Sequence, residues 1–278
     1  MSAIAAGTRI SPDLTVLGIV ASGDGGRHPV YIVWHARAWC PMACKVFASP
    51  RRLRREAALL ATLDHPNIVR CLGARRPAHL LMEFLEGPTL AALIDSRPRG
   101  RLAVSDAMRV AIHLGAALVH THERGFVHLD VKPSNVIVVR GRPVLFDFGI
   151  ARRATARRLR RPIGTAPYMA PEQCRADTVT PATDVFAFGA TLYESLTGRR
   201  PFAARQRRPF PQLTAPPQPL RRHAPGVPPA LEELVMACLA ASPEARPALP
   251  SLLPTLHRFI RHGPPMWPVG FDPSVAAA

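Results

Sequence analysis

The stretch Phe126-Val127-His128-Leu129-Asp130-Val131-Lys132-Pro133-Ser134-Asn135 constrains the fold of this chain more than any other. It reads as strand, tight loop, strand: apolar Phe126-Val127 precedes a polar core, and Val136-Ile137-Val138-Val139 follows it. A loop held between buried strands is where function concentrates. Within six residues this loop presents an acid, an ammonium and an amide carbonyl. That set suits phosphoryl transfer, in which an acid orients a hydroxyl and cations neutralise charge on the moving phosphate. Downstream, Leu145-Phe146-Asp147-Phe148-Gly149 places a second carboxylate at the end of another apolar strand. Asn135 and Asp147 together make an all-oxygen site that suits Mg²⁺.

The residues carrying this chemistry are rare here. All but two of the 36 basic residues are arginine, and the chain holds 31 prolines, the composition expected of a GC-rich genome. The two lysines are Lys45 and Lys132. A lysine is a compact point charge on a flexible stem, and arginine does not replace it where a small ammonium must meet a phosphate. The only asparagines are Asn67 and Asn135. His65-Pro66-Asn67 is a good turn, so Asn67 is read as structural.

The same composition bounds what the chain can be. The net charge of +17 invites a nucleic-acid reading. Aromatic content of 6% offers few stacking platforms, and a salt-dependent DNA affinity would reveal such binding. No apolar run reaches the roughly 18 residues needed to span a bilayer. Met1-Ser2-Ala3-Ile4 has no basic n-region, so no signal peptide is expected. The cysteines, Cys40, Cys44, Cys71, Cys174 and Cys238, form no Cys-x-x-Cys pair and read as free thiols in a reducing cytosol, not as a zinc site.

The loop from Phe126 to Asn135, with Asp147-Phe148-Gly149, resembles the catalytic loop and metal-binding motif of protein kinases, and specifically the Hanks-type serine/threonine kinases of bacteria. The likeness extends from about Leu14 to about Arg261. It implies an α+β, two-lobed fold: a small antiparallel sheet with one helix (about 14–85) and a mainly helical lobe (about 86–261). Residues 1–13, without periodicity, read as a flexible arm, and 262–278 as a Pro-rich, mobile tail.

Other motifs fall in the family's order. Leu14 to Ala21 suits a strand, and Ser22-Gly23-Asp24-Gly25-Gly26-Arg27-His28 is a glycine-rich turn before the strand Val30 to Trp34. Taken alone such a turn means a hairpin. In the resemblance, Gly23, Gly25 and Gly26 approach the phosphates of ATP, and His28 stands where the family has a third glycine. Lys45, in the strand Met42 to Phe47, would contact the α- and β-phosphates; a lone lysine in a strand is otherwise more often a solvated edge residue. Glu56, in a helix read over Arg52 to Leu63 with Leu53, Ala57, Leu60 and Ala61 on one face, would pair with Lys45. The plainer alternative is an exposed pair with Arg52, worth only ~0.3–0.5 kcal/mol. Val30, Ala43 and Ile137 would enclose adenine, and backbone groups of Glu83 and Leu85 would hydrogen-bond its edge.

Further along, Ser105 reads as the N-cap of a helix that ends at Glu123 before Gly125. Gly164-Thr165-Ala166-Pro167-Tyr168-Met169-Ala170-Pro171-Glu172 resembles the substrate-docking loop, and Thr165 with Lys132 marks serine/threonine specificity. Asp184 would anchor the catalytic loop through backbone N–H groups, and Arg246 would pair with Glu172. Residues 199–228 read as surface loop, Leu231 to Ala240 and Leu249 to Arg261 as helices.

The resemblance thus implies an ATP- and Mg²⁺-dependent cytoplasmic enzyme acting on Ser/Thr of proteins, with no nucleic-acid partner and no membrane span. Asp130 would position the acceptor hydroxyl, Lys132 would stabilise the γ-phosphate, and Asn135 and Asp147 would hold the metal. A pseudokinase, serving as a nucleotide-binding or scaffold module, is the alternative that His28 and Leu129 support. Many kinases carry arginine at the position of Leu129, to pair with a phosphate on the activation loop. Leucine cannot, so activity is expected to depend little on loop phosphorylation. The six arginines between Ala151 and Arg161 are either a solvated, composition-driven loop or a field favouring acidic substrates.

Overall fold

The computed structural model describes residues 4–22, 28–76, 78–155, 157–202 and 210–260. The chain divides into two compact units, Met1–Gly87 and Pro88–Ala278.

The first unit holds β1 (Arg9–Ser11), β2 (Leu14–Ser22), β3 (His28–His35), β4 (Cys40–Val46), helix α1 (Pro50–Leu60), β5 (Cys71–Arg75) and β6 (His79–Glu83). The strands form one antiparallel sheet in the order β1-β2-β3-β4-β6-β5. Side chains alternate across a strand. One face therefore buries Tyr31, Val33, Met42, Cys44 and Leu81 in a core with Leu14, Val16 and Val46. The pairs Val30↔Lys45 and Ile32↔Ala43 put those four side chains on the opposite face.

The arm expected over residues 1–13 is instead tied to this sheet among its described residues: β1 pairs with β2, and Ile4 and Gly7 hydrogen-bond to it. The Ile4 N–H donates to the Tyr31 hydroxyl (3.0 Å), and the Gly7 N–H donates to the Val16 carbonyl (2.8 Å). A strand of three residues is too short to show an alternation in sequence; long-range pairing alone creates it. Helix α1 begins at Pro50, two residues before the expected start, because proline is pre-organised for the first helical position. Its buried stripe is Leu53, Glu56, Leu59 and Leu60, whereas Ala61, expected on that face, is exposed.

The second unit is mostly helical: α2 (Leu90–Ser96), α3 (Val104–Glu123), strands β7 (Phe126–Val127), β8 (Val136–Val139), β9 (Arg142–Leu145) and β10 (Arg152–Arg153), then α4 (Pro171–Cys174), α5 (Pro181–Thr197), α6 (Pro229–Cys238) and α7 (Leu249–His257). Ser105 is not the cap of α3: Ala103 occupies the N-cap and Ser105 lies inside the helix. Fourteen of the seventeen residues of α5 are buried, as expected of a helix apolar on nearly every face. At Gly189 a Cβ would fall 2.6 Å from the Cys238 Cβ, so glycine lets α5 approach α6 this closely. Residues 199–228 contain only two single turns of 3-10 helix, Pro211–Leu213 and Leu220–Arg222, among those described. The expected mobile tail lies outside the described residues.

A buried ion pair ties the two ends of this unit. The Arg246 guanidinium donates to both Glu172 oxygens (2.7 and 2.9 Å), and the Thr183 hydroxyl donates to the same carboxylate (2.9 Å). Arg246 also donates to the carbonyls of Ala240, Ala241 and Ala182 and stacks on Phe186. Removing one partner strands a buried charge, which costs about 3–5 kcal/mol. Arg246→Ala should therefore lower Tm by roughly 10 °C at this domain size. A thermal melt reads this, and a change within measurement error would show that the pair does not carry stability.

Candidate active site

The loop after β7 is held from beneath by Asp184, in the first turn of α5. Its carboxylate, fully buried, accepts the N–H groups of His128 and Leu129 (both 2.8 Å) and meets His122 Nε2 at 2.8 Å. Burial alone would push this carboxyl up. The hydrogen bonds from His122 and the His128 backbone outweigh it and hold the group below the ordinary carboxylate range. Anchoring here makes an unfavourable backbone tolerable: Leu129 has φ 69°, a left-handed conformation that a branched side chain rarely adopts.

His128 locks the loop to the neighbouring strand. Burial holds its imidazole below the usual range, so it is neutral. Nδ1 accepts the Asp130 N–H (3.2 Å), which leaves Nε2 as the donor to the Phe146 carbonyl (3.3 Å). Its ring meets Phe148 edge-on, with centroids 4.6 Å apart.

Asp130, Lys132, Asn135 and Thr165 form one connected group. Lys132 Nζ donates to Asp130 Oδ2 (2.7 Å) and to Thr165 Oγ1 (2.6 Å), and that hydroxyl donates to Asp130 Oδ1 (2.7 Å). Asn135 Nδ2 donates to the Asp130 carbonyl (2.8 Å) and to Oδ2 (2.9 Å). Oδ2 thus serves two donors and Oδ1 serves one among the described residues, which leaves Oδ1 a lone pair for a further hydroxyl. The carboxylate is positioned from three sides, and a hydroxyl beside it would lie next to the Lys132 ammonium.

The β8–β9 hairpin brings the two candidate metal residues side by side. Val136 pairs with Leu145, and the Phe146 N–H donates to the Asn135 carbonyl (3.0 Å), so Asn135 stands beside Phe146-Asp147. With the Asn135 Nδ2 turned to Asp130, its amide oxygen points the other way. That oxygen and the Asp147 carboxylate are the hard donors Mg²⁺ takes, so the residues fit the ion. Asp147 has φ 63°, a second non-glycine residue in the left-handed region. Among the described residues no cluster of three or more His, Cys, Asp or Glu side chains offers another metal site.

In the first unit Lys45 and Glu56 meet. Nζ lies 2.8 Å from Oε1 and 3.1 Å from Oε2, and each residue is 4% exposed. The exposed pair of Glu56 with Arg52 is thus not its principal contact. Val30 and Ala43 share the sheet face of Lys45 and are both half-buried. The Glu83 N–H already donates to the Arg70 carbonyl (3.1 Å), so a contribution from Glu83 falls to its carbonyl. Leu85 is half-buried just past β6, and Ile137 bridges Thr89 in the second unit. Gly23, Gly25 and Gly26 lie outside the described residues. Burial pushes the thiols of Cys44, Cys174 and Cys238 up to about 12, so they are inert.

Two glutamines escaped the sequence reading. Gln173 Nε2 donates to the carbonyls of Leu129 and Ile163 (both 2.9 Å), joining the catalytic loop to the segment that presents Thr165. Gln212 Nε2 donates to the carbonyls of Ala166 and Met169 (both 2.8 Å) from a stretch without any periodic pattern. The chain has only four glutamines, so the rarity argument applied to lysine and asparagine would have singled them out. Gly164, at φ 131°, passes so close that a Cβ would meet Gln173 Nε2 and the Leu129 carbonyl at 3.0 Å. Leu129 itself packs with Val127, Leu159 and Val179, with Ile150 and Ile163 against them.

Comparison with known proteins gives a consistent picture. A family model described as protein kinase domain matches residues 19–258. Serine/threonine-protein kinase PknB of Mycolicibacterium smegmatis is 33% identical over 81% of this chain and 39% of its own length. PknA of Mycobacterium tuberculosis is 32% identical over 86% of this chain and 59% of its own length. PrkC of Bacillus subtilis is 32% identical over 85% and 39% respectively, so the chain spans between 39% and 59% of the length of these curated relatives. Among solved structures, the PknI kinase domain of Mycobacterium tuberculosis superposes with a TM-score of 0.72, covering 93% of this chain and 99% of that one at 24% identity. At that identity the likeness concerns the fold.

Proposed function

The chain belongs to the protein kinase family, among the bacterial serine/threonine kinases, and on that premise we propose that it transfers the γ-phosphate of ATP to serine and threonine hydroxyls of proteins. The observation that carries the proposal is the Asp130 carboxylate, held by Lys132, Thr165 and Asn135 with Oδ1 able to accept one more hydroxyl. In this reading Asp130 orients the acceptor and takes its proton. Lys132 meets charge gathering on the transferred phosphate, and Lys45, oriented by Glu56, meets the α- and β-phosphates. Val30, Ala43, Ile137 and the backbone at Glu83 and Leu85 take adenine, and Gly23, Gly25 and Gly26 cover the phosphates. Asn135 and Asp147 would hold Mg²⁺, which would supply charge neutralisation for the phosphates. The domain proposed to do this runs over residues 14–261.

A pseudokinase would have no need of these residues, yet all of Lys45, Glu56, Asp130, Asn135 and Asp147 are present and the first two are paired. A cytoplasmic setting suits a user of ATP with five free cysteines. No helix among the described residues is long and apolar enough to cross a membrane. The test is transfer of label from γ-labelled ATP to serine and threonine of a peptide, lost on chelation of Mg²⁺. Transfer no greater than that of Asp130→Asn would sink the proposal.

Regulation follows from Leu129. Leu129 packs with Leu159, with Ile163 against them, and in this reading that apolar cluster would seat the activation segment without a phosphate. Thr155 is exposed and is the only hydroxyl residue between Gly149 and Gly164. Thr155→Ala should keep turnover within about twofold, as a surface change of up to ~0.5 kcal/mol would. Loss of most activity would instead mean that Arg152, Arg153, Arg157 or Arg158 binds a phosphate on Thr155.

A further inference from the structure

We propose that this chain selects acceptor peptides with anionic flanks, read by an uncompensated arginine face beside the acceptor site; the proposal rests on the kinase activity proposed above. From Gly149 to Ala176 the sequence has seven arginines and one acid, against 36 basic and 19 acidic residues in the whole chain. A drift towards GC-rich codons exchanges lysine for arginine, but it does not remove acids. The one acid, Glu172, is buried and committed to Arg246. The next, Asp177, is paired with Arg158 at 2.9 Å. Arg153, Arg157, Arg160 and Arg161 are exposed, and among the described residues no carboxylate forms an ion pair with them.

The fold sets where these cations stand. Leu159 is 5% exposed, packs with Leu129 next to Asp130, and donates its N–H to the Asp177 carbonyl (3.1 Å). With that side chain turned inward, the exposed arginines on either side of it project to solvent. A second flank comes from the residues after α5: Arg199 is exposed, and Arg200, also exposed, lies 5.9 Å over the ring of Tyr168, three positions past Thr165, with Glu194 as its partly compensating acid. An extended peptide advances about 3.3 Å per residue, so flanks three to five residues from the acceptor hydroxyl reach roughly 10–17 Å from Asp130. Arginine forks bind carboxylate or phosphate bidentately and repel lysine and arginine. Such a field acts on encounter and on KM more than on the transfer step.

The test uses the full chain and peptides that share one acceptor threonine, with alanine, glutamate, phosphoserine or lysine flanks. At low salt kcat/KM for glutamate flanks should exceed that for lysine flanks by about tenfold or more, through KM, and the gap should narrow at moderate salt. Glutamate and phosphoserine distinguish an acidic sequence from a primed one as the source of the anion; a preference for either supports the proposal. The triple variant Arg157→Glu, Arg160→Glu, Arg161→Glu should still turn over the alanine peptide while its order of preference inverts. Equal turnover of glutamate and lysine peptides, or an unchanged preference in the triple variant, overturns the proposal. So does duplex DNA that blocks peptide phosphorylation, which would make the face a nucleic-acid surface. Failure to phosphorylate any peptide above the Asp130→Asn background instead overturns the kinase activity beneath it.

Discussion

Replacing Asp130 with asparagine is expected to lower kcat by about 10³–10⁴-fold, the upper part of the range for a general base. Asparagine keeps the size and one carbonyl oxygen but takes no proton. It also turns an NH₂ towards donors: Lys132 and Asn135 both point at Oδ2, and Thr165 points at Oδ1. Some of those contacts must turn outward, so the acceptor hydroxyl loses its alignment as well as its base. The loop should survive, because Asp184 and Gln173 anchor it through the backbone of His128 and Leu129. The expected pattern is a collapsed kcat with a nearly unchanged KM for ATP and an unchanged melting temperature. A variant that keeps a tenth of the wild-type kcat would remove Asp130 from the chemistry.

Lys45→Arg should lower kcat/KM for ATP by about 10²–10³-fold, the usual cost of losing one well-placed donor to developing charge. The charge is conserved, so a purely electrostatic role would predict little change. The site argues otherwise. Lys45 is 4% exposed, sits opposite Val30 on the sheet and holds both Glu56 oxygens. A planar guanidinium is larger and would satisfy Glu56 bidentately by itself, leaving no compact ammonium for a phosphate. The variant should fold, with a far-UV spectrum and melting temperature near wild type. Near-normal turnover would separate Lys45 from the phosphates, and a companion Lys45→Met variant tests whether any cation is needed.

Much of this site was legible in the sequence because it is local. Asp130, Lys132 and Asn135 lie within six residues, and the hairpin that brings Asp147 beside Asn135 is short. Rarity did the rest: two lysines and two asparagines among so many arginines and prolines drew attention to three of the four positions. The glutamines were missed because their work is between segments. Gln212 acts across more than forty residues from a stretch with no pattern, and nothing in its neighbours announces this.

By itself the sequence determined the family and, through that resemblance, the class of fold, because residue types at short spacing carry the motifs. Only the tertiary structure decided which partner each charge takes. Glu56 lies one turn from Arg52, but its place in the buried stripe of α1 also brings it against Lys45, eleven residues away. The residues before Leu14 could have been a free arm, but pairing with β2 and the Tyr31 hydroxyl makes them an edge of the sheet. Leu129 looked like a lost arginine; the structure instead packs it in an apolar cluster with Leu159, thirty residues away. The physical reason is the same in each case. Burial and long-range pairing choose among contacts of similar local energy, and that choice is made by neighbours distant in the chain.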